Sequence, residues 1–146
     1  MISVDFKRMF SRPLKQQHVH AHNILGDEWF CTDNNGQGII CSAGNGSAPS
    51  PINYLLMSLG ACTGSGIKFN LEKRGKKVRS VDIDITGDWT RKPSLRIGDI
   101  QLNVTVDADI DQELFSKIVD EVTNKFCPVA GTLLHAANIK SSAVVK

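Results

Sequence analysis

The chain has 146 residues, the size of one ordinary domain, and 41% of them are hydrophobic, enough for a real core. Its formal net charge of +2 comes from acids and bases mixed along the chain, with no long basic run, so nucleic-acid binding has no electrostatic support. No apolar run is long enough to span a bilayer, so no membrane partner is expected. The start, Met1-Ile2-Ser3-Val4-Asp5-Phe6, lacks an apolar signal core, and a cytoplasmic location is the expectation. In that compartment four cysteines read as free thiols, not as a disulfide frame.

Residues 1 to about 48 read as short strands and turns, with turn signals at Asp33-Asn34-Asn35-Gly36 and Gly44-Asn45-Gly46-Ser47. Between them Gly38-Ile39-Ile40-Cys41 suits a strand. At Ser50-Pro51 the pattern changes to an N-cap and a first-turn proline. Ile52, Leu55, Leu56, Leu59, Thr63, Ile67 and Leu71 follow at helical spacing, and Gly75 is placed to cap the end. This helix, about 50–74, is apolar nearly all round, which predicts a central, buried element. Gly60, Gly64 and Gly66 lack the lysine of a phosphate loop and read as close packing or a kink. Val81 to Ile85 and Ile100 to Val106 alternate strictly, as strands with one wet face that carries Asp82 and Asp84. Pro93 and Gly98 lie in the hairpin-like connection between them. Asp109 or Asp111 then caps an amphipathic helix through Leu114, Phe115, Ile118, Val119, Val122 and Phe126. Cys127-Pro128 opens a short helix to about Ala137, and Ile139 to Val145 suits a last strand. The whole is a single α+β domain: strands over about 1–48, the helix, then strands and helices over about 78–146.

Two thiols stand out. Cys62 lies inside the long apolar helix, and Cys127 lies just before a helix-opening proline, where free N–H groups favour a thiolate. A buried lone cysteine is otherwise a small hydrophobe. Cys31 and Cys41, with His18, His20 and His22, carry the right atoms for zinc, but no Cys-x-x-Cys occurs. The alternating histidines equally suit the wet face of a strand, and His135 suits packing or the surface.

The motif Ala48-Pro49-Ser50-Pro51 leading into Tyr54-Leu55-Leu56-Met57-Ser58-Leu59-Gly60-Ala61-Cys62-Thr63, followed downstream by Cys127-Pro128-Val129, resembles the OsmC/Ohr family. These are the osmotically inducible and organic-hydroperoxide-resistance proteins. The resemblance covers residues 45–146 well and the first third loosely. It implies an intertwined homodimer, with mixed sheets wrapped around two central buried helices. It also implies thiol-based reduction of organic, and in some members inorganic, hydroperoxides in oxidative-stress defence, with no metal or bound cofactor. Carried onto this chain, Cys62 is the attacking thiol, Cys127 the resolving thiol, and a dithiol such as a lipoyl group the reductant. The chemistry is a sulfenic acid condensed to a disulfide and then reset by exchange. Apolar neighbours, Leu55, Leu59, Phe69 and Phe126, would suit a fatty or aryl hydroperoxide. The family's helix-start glutamate, which holds an arginine on the thiolate, is replaced here by Ile52 and Asn53. Arg12 by preference, or Arg8, would supply the cation, with Asn53 as its hydrogen-bond acceptor, while His18, His20 and His22 lie nearer the usual position. The alternative is a non-enzymatic domain of the same kind that binds a small apolar ligand at the dimer interface.

Overall fold

The computed structural model describes residues 16–44 and 46–144. Antiparallel sheets and helices give the α+β class expected from the sequence. The chain divides between Met57 and Ser58 into two compact units.

In the first unit β1 (Val19–Leu25), β2 (Glu28–Asp33) and β3 (Gly38–Ser42) form an antiparallel sheet in that order. Its turns follow from local chemistry. Gly26 takes φ 54° between β1 and β2, a conformation open to glycine. At the next turn the Asp33 carboxylate accepts the N–H groups of Asn35 (2.8 Å) and Gln37 (2.9 Å). Register then sorts the side chains. Cys31 pairs with Ile39 and Trp29 with Cys41, so both cysteines share one face. His20 pairs with Thr32 and His22 with Phe30, which puts those histidines on the other face.

Helix α1 (Pro51–Lys73) runs across the division. Ser50 caps it, its hydroxyl accepting the Asn53 N–H at 3.2 Å. Gly75, at φ 73°, ends it, and the Lys76 N–H closes on the Leu71 carbonyl at 3.0 Å. Leu59, Thr63, Gly66, Ile67 and Leu71 are buried, a single stripe at helical spacing. The expected burial on all sides is therefore met on one face only in this chain, and Met57 is 53% exposed.

In the second unit β4 (Val78–Thr90) and β5 (Arg96–Ala108) form a long hairpin. Val81, Ile83 and Ile85 point inward while Asp82 and Asp84 stay wet, as their alternation predicts. Asp111 caps α2 (Gln112–Glu121), accepting the Leu114 N–H at 2.8 Å. Phe115, Ile118 and Val122 close a core with Ile67 and Leu71. A Cβ on Gly66 would lie 2.7 Å from Val122 Cγ1, so this glycine is a packing device.

Two expectations need correction. The second amphipathic helix does not run as α-helix to Phe126, because Val122–Phe126 is a π-helical turn. It leads directly into the short α3 (Pro128–Leu134), which stops at His135, an exposed residue, short of Ala137. The last strand is also absent. Residues 139–144 are irregular, with Ile139 93% and Val144 89% exposed, and Val145 lies outside the described residues. Alternation yields a strand only where another edge supplies hydrogen bonds, and among the described residues none does so there.

Candidate redox site

Cys62 sits in α1 with its neighbour Thr63 on the buried stripe, and Cys127 is delivered by the π turn. The extra residue in that turn gives the Cys127 N–H the Val122 carbonyl at 2.8 Å. Cys127 then caps α3, its sulfur accepting the Ala130 N–H at 3.4 Å. The Thr63 hydroxyl, wholly buried, donates to the same sulfur at 3.4 Å. Cys62 packs against the buried cluster that holds Cys127, and the two thiols act on each other electrostatically. The two sequence-predicted thiols are thus brought together, both free. Cys127 is 4% exposed and Cys62 is half-buried, so Cys62 is the thiol that solvent reaches.

Electrostatics separates the two. Burial raises the Cys62 thiol and outweighs the Val129 N–H that favours its anion; the Cys127 thiol raises it further. Burial also works against an anion at Cys127. There it is outweighed by the Thr63 hydroxyl, the Ala130 N–H, the Cys62 thiol and the Val129 N–H, so Cys127 falls below the ordinary thiol range. The pair shares its protons, and among these groups the first negative charge rests on Cys127.

An apolar wall surrounds the pair. Leu59 and Ala130 are buried with Cys127, and Ile85, Ile100 and Leu102 of the hairpin pack against them. Of the four predicted neighbours Leu59 is in this cluster; Leu55, Phe69 and Phe126 are not. Thr63 is the residue that sequence reasoning missed. Its spacing places it in the apolar stripe, and its hydroxyl is the signal, since a hydroxyl at a core position must find a partner.

Asn53 is exposed in the first turn of α1, about two and a half turns before Cys62. Arg8 and Arg12 lie outside the described residues. Cys31 and Cys41 meet each other on the first sheet. The zinc arrangement is not formed, because alternation turns His20 and His22 away from the cysteines, and no metal-holding group of three or more such ligands occurs among the described residues.

This order of motifs, on this fold, matches a known pattern: the sequence profile described as OsmC-like protein matches residues 44–142. The chain belongs to the OsmC family. A curated OsmC-family relative, Protein YhfA of Escherichia coli strain K12, is 28% identical over 109 residues, 73% of this chain and 81% of that protein. The OsmC fold extends further than sequence identity. An OsmC-like protein from Mycoplasma pneumoniae superposes with a TM-score of 0.75 at 16% identity, over 84% of this chain and 89% of that one. The organic hydroperoxide resistance protein OhrB of Bacillus subtilis superposes with a TM-score of 0.62 at 18% identity, over 82% and 91%. No helix among the described residues of this OsmC-family chain is long and apolar enough to cross a membrane.

Proposed function

We propose that this OsmC-family protein is a thiol peroxidase that reduces organic hydroperoxides through Cys62 and Cys127. The observation that carries the reading is the closeness of the two thiols inside an apolar wall. Cys62, the reachable sulfur, meets the peroxide and passes its proton to Cys127, which bears the pair's first charge. The Cys62 thiolate attacks the O–O bond, an alcohol leaves, and Cys62 becomes a sulfenic acid. Cys127 attacks that sulfur, water leaves, and a disulfide forms. A dithiol such as a lipoyl group attacks the exposed Cys62 side, and Cys127, the stabilised anion, is the better leaving group. Arg12 is the proposed cation for the Cys62 thiolate, with Asn53 as its acceptor. We also read the working form as a homodimer, since Val19, Ile24, Phe30, Ile39 and Ile40 of the first sheet are exposed.

A second reading, apolar ligand binding without chemistry, rests on a groove of about 400 Å³ beside β5 and α2. Gln112, Ser116, Asp120 and Asn124 make much of its lining polar, and no cysteine lines it, so the thiol site is preferred. The test is cumene hydroperoxide consumption with a dithiol reductant. Wild type should turn over, Cys62→Ser should lose on the order of 10³-fold or more in turnover, and Cys127→Ser should react once at Cys62, which then over-oxidises. Turnover by Cys62→Ser at the wild-type rate would overturn the assignment.

A further inference from the structure

We infer that Cys31 and Cys41 form a second oxidisable dithiol, which closes to a reversible disulfide between β2 and β3. The register places them: Cys31 faces Ile39, and Cys41 stands two residues further along β3, so the two are diagonal neighbours on one face. The Cys31 thiol is near enough to act electrostatically on Cys41. Cys41 is 7% exposed and Cys31 only partly buried, so Cys31 is the sulfur an oxidant reaches. Both belong to the first unit, whereas Cys62 and Cys127 belong to the second.

Chemistry and geometry then fix the kind of bond. With a hydroperoxide as oxidant, the Cys31 thiolate attacks one peroxide oxygen. The O–O bond breaks, an alcohol leaves, and Cys31 carries a sulfenic hydroxyl. The Cys41 sulfur attacks the Cys31 sulfur, the S–O bond breaks, and the hydroxyl leaves as water with the Cys41 proton. Two electrons pass from the dithiol to the peroxide. Diagonal positions in an antiparallel pair have Cα atoms about 7–8 Å apart, beyond the roughly 4.4–6.8 Å of a relaxed disulfide. Closing the bridge draws the strands together, so the bond is a reducible one and not a permanent staple. Cys41 is held above the ordinary thiol range by burial and by the Cys31 thiol, which makes closure faster at alkaline pH. Trp29 pairs with Cys41 across the ladder and reports the event.

The test is a non-reducing peptide map of the reduced, full-length protein after cumene hydroperoxide. The expected result is a peptide joining Cys31 to Cys41, lost after dithiothreitol, with Trp29 fluorescence changing in step. In Cys41→Ser the Cys31 sulfenic acid should persist long enough to be captured by dimedone. If both thiols remain alkylatable in wild type, if Cys31 ends as a sulfinic acid with Cys41 free, or if Cys31 joins Cys62 instead, the second dithiol does not exist. Should Cys41→Ser fail to fold, the wild-type map decides alone. A peptide joining Cys62 to Cys127 is read separately, so this pair and the peroxidase site stand or fall independently.

Discussion

Two pairs of neighbouring cysteines sit in one chain, and their surroundings set them apart. Cys62 and Cys127 meet where a helix cap and a core hydroxyl supply donors: the Ala130 N–H and Thr63 both aim at Cys127. Cys31 and Cys41 meet across the β2–β3 pair, where burial and the neighbouring thiol both act against a Cys41 anion. The result is opposite. Burial raises Cys41 with nothing to oppose it, whereas at Cys127 donors outweigh burial. Closeness of two thiols makes a disulfide possible; donors decide which sulfur carries charge beforehand.

The largest effect that can break this comparison is loss of the reachable sulfur. Cys62→Ser should lower peroxide turnover on the order of 10³-fold or more, while Cys31→Ser leaves steady-state turnover near wild type. Equal losses in a coupled dithiol assay would erase the distinction between the pairs.

Next in size is packing. Gly66→Ala pushes a methyl against Val122 Cγ1, 2.7 Å away, in the turn that delivers Cys127. Overpacking of this kind costs about 1–3 kcal/mol, more than the roughly 1 kcal/mol that alanine gains in helix propensity. A lower urea midpoint is expected, with slower alkylation of Cys127 and unchanged labelling of Cys31. A variant as stable as wild type would show that Val122 yields freely.

Thr63→Val sharpens the electrostatic half of the comparison. It keeps shape and removes one donor, worth about 1 kcal/mol or somewhat more to an anion. Thiolate absorbance should then appear at higher pH, with the Cys31–Cys41 pair untouched. An unmoved titration would mean that the backbone N–H groups suffice.

The smallest expected effect is the pH dependence of stability. Cys127 is lowered in the fold, so its contribution is complete above the unfolded thiol range and is lost as pH falls through its folded value. Cys41 is raised, so its contribution is complete below the unfolded thiol range and is lost as pH climbs through its folded value. Peptide-resolved alkylation from neutral to alkaline pH should therefore label Cys127 at lower pH than Cys41, once exposure is corrected with a denatured control. The reverse order would contradict the roles of the donors.

Much of this was legible in the sequence because it depends on neighbours along the chain. Ser50-Pro51 and Gly75 bound α1, Asp111 caps α2, and alternation sets the wet face of β4, each through contacts a few residues long. The motif around Cys62 and the later Cys127-Pro128 mark the pair through the family resemblance. Tertiary structure decided what no local pattern encodes. It broke the second helix with a π turn at Val122, left residues 139–144 without a strand partner, and brought Cys31 beside Cys41 through register. It also turned Thr63 from a place in an apolar stripe into a donor for a sulfur on another element. Periodicity tells which face of an element is buried, but the partner that face meets, and so the charge a thiol bears, is set by elements distant in the chain.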